Sequence, residues 1–252
     1  MRQDLAVNLV ASLLAFGVGW LGRALVHYYR TRIPAARVWR LDRGRRVVMV
    51  VGESGGPSSA YPKIPETDAL AAMNLRQFLS QDLGLHEAAT VRAGAFAMAA
   101  DAEENLVVIG GPVHNRVWTL LSDRLDPPYV FRGFPDEYRV VCVESGEEYG
   151  ESDVDTATLV DHAIVVLANN PFAAGSRLIM IAGCALLATS GATQLFARGA
   201  IRALARTYDT TAPLALVVRV ESVGGYVRPP EVVAAANFPR AAANRTSPAT
   251  RS

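Results

Sequence analysis

Three short apolar runs, Arg46–Gly52 (RVVMVVG), Asn105–Gly110 (NLVVIG) and Leu178–Ala182 (LIMIA), each end at or beside a glycine and feed a loop. Runs this short, rich in β-branched residues and apolar on both alternating sets of positions, read as strands covered on two faces, the situation of parallel strands in an α/β sheet. A helical pattern separates the first two: Thr67 or Asp68 is placed to cap it, Leu70, Met73, Leu75, Phe78, Leu79 and Leu83 form its apolar side, and Gly84 stops it. A further strand is expected at Ala89–Arg92 and a helix from Val113 to Leu125, closed by Asp126-Pro127-Pro128. A helix over Ser190–Arg206 and a last strand at Pro213–Val220 follow. This alternation predicts an α/β, Rossmann-like fold: a mostly parallel sheet with helices on both faces. Tyr129–Phe131, Tyr138–Val143 and His162–Leu167 are strand-like pieces, the middle part antiparallel across short turns, and are expected to form a small insert or an extension of the sheet.

Ahead of this domain, Leu5 to Gly22 (LAVNLVASLLAFGVGWLG) holds no charged residue. At 1.5 Å rise per residue, about 18 such residues nearly span a hydrocarbon core of about 30 Å. The run is apolar on every helical face, with Asn8 its one strongly polar interior residue, so a transmembrane helix is expected rather than a core helix. Its length and the Trp20-Leu21-Gly22 end argue against a cleaved signal peptide. Arg23, Arg30, Arg32, Arg37, Arg40, Arg43, Arg45 and Arg46 follow against the one acid Asp42, which predicts a cytoplasmic domain on a single-pass anchor in the cell membrane. The expected organisation is residues 1–29 as a signal-anchor helix, 30–45 as a basic juxtamembrane segment, 46–233 as the cytosolic domain and 234–252 as a disordered tail.

The formal net charge of +1 over 252 residues leaves no excess of positive charge for a nucleic-acid groove, and the arginines after the helix are explained by topology and anionic lipid. Cys142 and Cys184 form no CxxC pair and are expected as free thiols. The four histidines show no metal spacing, so no metal site is expected. Partners are therefore the lipid bilayer, a small ligand and, through Asn8 or a domain face, a second copy of the chain.

Three loops follow the three best strands: Gly52-Glu53-Ser54-Gly55-Gly56, Gly110-Gly111-Pro112-Val113-His114-Asn115, and Gly183-Cys184 running on to Ser190-Gly191-Ala192-Thr193. In a parallel sheet they share the carboxyl edge, where ligands bind, and glycine lets backbone amides approach an anion. Each also has a simple structural explanation, because tight strand-to-helix turns need glycine whether or not anything binds. Candidate ligand contacts are Gly52, Ser54, Gly55, Gly110, Gly111, Pro112, Asn115, Gly183, Ser190, Gly191 and Thr193; Glu53 and His114 are the candidate base and acid. Neither GxGxxG nor GxxxxGK[ST] is present, so the cofactor is unknown, and GxSxG is absent too.

Gly110-Gly111-Pro112-x-x-Asn115 after a strand, with Asn170-Pro171-Phe172, Ile181-Ala182-Gly183 and Gly191-x-Thr193, resembles a pattern in the C-terminal domain of archaeal S-layer proteins and related Rossmann-like domains. The resemblance covers about residues 105–200 and implies a Rossmann-like sheet but no reaction. Three functions stay open: a membrane-anchored sensor or effector binding a nucleotide-like or anionic small ligand; a hydrolase or transferase acting on a nucleotide or glycosidic bond; and a ligand-free scaffold that recruits a protein partner to the membrane.

Overall fold

The computed structural model describes residues 2–54, 63–85, 89–94, 97–134, 137–153, 157–185 and 187–239, with side chains described from residue 11 onward. Strand β1 (Val47–Val51) pairs in parallel with β2 (Ala89–Ala93) on one side and β3 (Asn105–Ile109) on the other. β9 (Arg177–Gly183) continues the parallel set beside β3. Beyond it the sheet turns antiparallel through β8 (Thr158–Asn169) and β10 (Leu214–Val223), giving the order β11-β10-β8-β9-β3-β1-β2. The short β11 (Tyr226–Val227) and β12 (Glu231–Asn237) both pair with β10, and β7 (Ser152–Asp153) pairs with β8. The fold is thus α/β with a mixed sheet, parallel in its first half only.

The period-2 geometry of strands sorts their side chains between two cores. Val47, Met49, Val51, Val107 and Ile109 face one layer, formed by helix α3 (Glu66–Phe78), α5 (Ala188–Ala192) and α6 (Arg198–Thr207). Val48, Val50, Leu106 and Val108 face the other, where α4 (Arg116–Leu125) packs Trp118, Leu121 and Leu125. A separate small sheet of β4 (Tyr129–Arg132), β5 (Arg139–Cys142) and β6 (Glu148–Gly150) contributes Tyr129 and Val140 to that second layer.

Several elements depart from the sequence reading. Of the two readings left open for the strand at His162–Leu167, it extends the main sheet: it belongs to β8, a 12-residue strand longer than expected. Asp161 and His162 hid its apolar pattern, but Asp161 is buried because backbone N–H groups of His162, Ala185 and Ala188 satisfy its carboxylate at 2.7, 3.2 and 2.7 Å. On α3, Leu70 and Met73 are exposed and the buried face is carried by Ala71, Ala72 and Leu75, continued by Leu79 in the turn that follows. The single helix expected over Ser190–Arg206 is broken at Ala197, whose extended backbone separates a 3-10 turn (Thr193–Phe196) from α6. The expected tail from Ala234 begins inside β12, which lies along β10 with alternating exposure and covers part of its edge. An alanine-rich strand is a weak sequence signal because alanine has low β-propensity. Residues 240–252 lie outside the described residues.

The N-terminal segment is helical from Arg2 through α1 (Arg2–His27), a π-helical turn (Tyr28–Arg32) and α2 (Ile33–Trp39). Its second half is not a juxtamembrane linker. Ala35, Val38 and Trp39 are fully buried, and the Trp39 ring lies 4.8 Å from that of Phe196. Arg40 ends the helix in the left-handed region (φ 46°), Thr210 Oγ1 donates to Arg37 O at 2.9 Å, and the buried Arg177 guanidinium reaches the carbonyls of Val38 and Thr210. Such a cation at a helix C-terminus meets unpaired carbonyls and the negative end of the dipole. α1, by contrast, exposes Leu13, Leu14, Phe16, Val18, Trp20 and Leu21. Among the described residues no helix is long and apolar enough to cross a membrane; the side chains of Leu5–Val10, the first third of the expected span, lie outside them.

Candidate functional site

β1 leads through α3 to β2 on one side, and the chain then crosses to β3 on the other, so the loops after β1 and β3 diverge to opposite faces. Between their carboxyl ends lies the switch point of the sheet, the usual ligand crevice of an open α/β fold. Gly52 and Gly110 end these strands, joined by hydrogen bonds from Gly52 N to Ile109 O and from Gly110 N to Ile181 O, both 2.9 Å.

The carboxyl group of Asp68, in the first turn of α3, fills the space over both glycines. A Cβ at Gly52 would stand 2.6 Å from Asp68 Oδ2, and one at Gly110, where φ is +91°, would collide with the same oxygen. Asp68 is 4% exposed. Burial raises its pKa from the usual carboxylate value to about 6, against the opposing pull of the neighbouring His114 and a backbone hydrogen bond from Gly52. Asp68 therefore changes charge near neutral pH at the centre of the crevice. Glu53 approaches from the side, its Oε1 3.3 Å from where a Cβ on Gly94 would lie, and Glu53 N donates to His114 O at 2.7 Å. His114 itself is exposed at the rim.

The loop after β3 is organised by Asn115. Its Nδ2 donates to Ile109 O (2.9 Å) and Val50 O (3.2 Å), tying β1 to β3, while Oδ1 accepts from Val117 N (3.1 Å) as the N-cap of α4. α4 begins at Arg116, so Pro112 precedes it by a full turn and does not occupy its first helical position. The amides of His114 and Asn115 both donate to Gly111 O, at 3.1 and 2.9 Å. Gly111 itself faces Tyr138, whose OH would lie 2.9 Å from a Cβ there and has no hydrogen-bond partner among the described residues. Ser54 bridges to Lys63, with both its N and Oγ donating to Lys63 O; Gly55 lies outside the described residues, as does His86.

The third loop is directed to packing. Gly183 N donates to Thr189 Oγ1 at 2.9 Å, Ser190 Oγ to Leu187 O at 3.4 Å, and Gly191 abuts Val220 of β10 too closely to admit a Cβ. Thr193 is fully buried, donating to Ser190 O and accepting from Asn74 Nδ2 at 3.1 Å. The structure therefore brings together Gly52, Glu53, Gly110, His114 and Asn115, and adds Asp68, which the sequence presented only as a capping acid. No family model, curated protein or solved structure matches the chain.

These bonds decide what the crevice can hold. The amides of Gly52, Glu53, Ser54, Gly110, His114, Asn115 and Val117 are all spent on internal acceptors. A phosphate cradle built from loop amides would need them free. The Asp68 carboxyl group and the His114 imidazole stand at this point, and a carboxyl group suits hydroxyl and amino donors better than an anion. No group of three or more His, Cys, Asp or Glu residues able to hold a metal ion occurs among the described residues.

Proposed function

We propose that this chain is a membrane-anchored domain that binds a nucleotide-like small ligand at the β1/β3 switch point, as a sensor or effector. The ligand enters sugar-first, with hydroxyl or amino donors on Asp68 and Glu53 and with His114 at the rim. The observation that carries this reading is the Asp68 carboxyl group, lodged over two glycines at the switch point between β1 and β3. In this reading α1 is the anchor: Leu13, Leu14, Phe16, Val18, Trp20 and Leu21 are exposed along it, and Arg23 and Arg30 follow that stretch. Confinement on a bilayer would raise the effective concentration of one copy for another, so a ligand could act by changing their association.

The full-length chain in mild detergent, heated with a panel of nucleosides, nucleotides and pentoses, tests the ligand site. A stabilisation of several degrees by one compound, lost in Asp68→Asn and Glu53→Gln, is the expected result; a flat response across the panel from a cooperatively melting protein favours the scaffold reading.

A second reading, cleavage or transfer at a glycosidic bond, is favoured by one observation: an acid with a pKa of about 6 beside an imidazole. It expects release of free base from a nucleotide, lost in Glu53→Gln with binding retained.

A further inference from the structure

The collar where the N-terminal helix meets the domain contains two π-helical turns that pack together, Tyr28–Arg32 and Leu79–Leu83. The first is inserted between two α-helical segments and the second ends the α3 run at Gly84; such wide turns recur at functional sites. Between them lies a pocket of about 140 Å³ lined by Tyr28, Arg32, Ile33, Ala36, Arg43, Asp82 and Leu83. It is well below the roughly 300 Å³ at which cofactor pockets begin. Its charges are mixed. Arg32 and Arg43 are exposed cations, whereas Asp82 is fully buried, with Oδ1 held by Arg198 Nε at 3.0 Å and Oδ2 lacking any hydrogen-bond partner among the described residues. An orphaned buried carboxylate oxygen is costly and calls for a donor.

A second, apolar hollow of about 370 Å³ adjoins the first along α1, lined by Leu21, Ala24, Leu25 and His27 and sharing Tyr28 and Arg32 with it. A hydrocarbon-lined groove running into a small polar pocket with two guanidinium groups and one acceptor has the polarity profile of a single phospholipid. We propose that the collar binds one phospholipid: the acyl chain lies along α1, the phosphate meets Arg32 and Arg43, and a headgroup hydroxyl or ammonium donates to Asp82 Oδ2. This proposal rests on reading α1 as a membrane anchor. It specifies the headgroup, because a glycerol or ethanolamine head carries a donor and a choline head carries none.

The test uses the full-length chain in neutral detergent at about 0.5 M salt, where diffuse attraction between surface arginines and anionic lipid is screened within a few ångströms. Short-chain phosphatidylglycerol and phosphatidylethanolamine should raise the unfolding temperature by several degrees, and phosphatidylcholine, inorganic phosphate and glycerol phosphate should not. Arg32→Gln and Arg43→Gln, both at exposed positions and so expected to fold, should weaken the lipid response by about fivefold or more, while Arg30→Gln, outside the pocket, should leave it unchanged. Equal response to phosphatidylcholine, equal loss in Arg30→Gln, or an equal shift with free phosphate would each overturn the proposal. Co-flotation with phosphatidylcholine vesicles reports separately on the anchor: failure to float with the lipid response intact removes the anchor and leaves the pocket standing.

Discussion

Asp68 makes stability depend on pH in an uncommon direction for a carboxylate. Its folded pKa of about 6 lies above the ordinary value of 3.8, so between those limits the folded chain binds more protons than the unfolded one. Its contribution is fully present below the unfolded pKa and is lost as pH rises through about 6. Asp161, also raised to about 6 by burial, acts with the same sign. Unfolding of Asp68→Asn, followed from pH 4 to pH 7, should show about 1–2 kcal/mol less loss of stability than the unsubstituted chain. Gly52→Ala should destabilise because its Cβ would meet the Asp68 carboxyl, and should cost less in an Asp68→Ala background. A coupling of about 1 kcal/mol or more in that double-mutant cycle is the expected reading, and additivity would show that the glycine is kept for another reason. Asp68 escaped the sequence because an acid in a first helical turn looks the same whether it complements the dipole or is folded back over a strand end. Asn115, by contrast, was singled out by its place after a strand and Gly-Gly-Pro, and its amide is engaged with the carbonyls of Ile109 and Val50.

At the level of elements, legibility followed chemical contrast. β1, β3 and β9 were found within about a residue because β-branched runs buried on both faces stand out from their loops. β8 was read short and β12 was missed because a buried, backbone-satisfied Asp161 and a run of small alanines lack that contrast. A chain ended at Pro230 would lose β12, leaving much of β10 as an uncovered edge, and should aggregate on heating at temperatures where the intact chain stays soluble. α2 was misread for a different reason: arginines flank it on both sides and drew the segment into a basic linker, while the three residues that matter to the core, Ala35, Val38 and Trp39, are spaced to face one side. Trp39→Ala should cost about 3–5 kcal/mol in denaturant unfolding, as for other fully buried large aromatics, and should expose the segment around Arg40–Gly44 to proteolysis.

For the whole molecule, the continuity of the N-terminal helix with the packed core has a mechanical consequence. α1 alone is 26 residues, a rod of about 39 Å at the α-helical rise, and it passes through the π-helical turn into a segment clamped by Trp39, Arg177 and Thr210 without a flexible joint. A linker would let the domain tumble on its tether. A rod gripped at its base instead fixes the height and bearing of the crevice with respect to whatever holds the far end, so a tilt or twist applied along α1 reaches the sheet as torque rather than as slack.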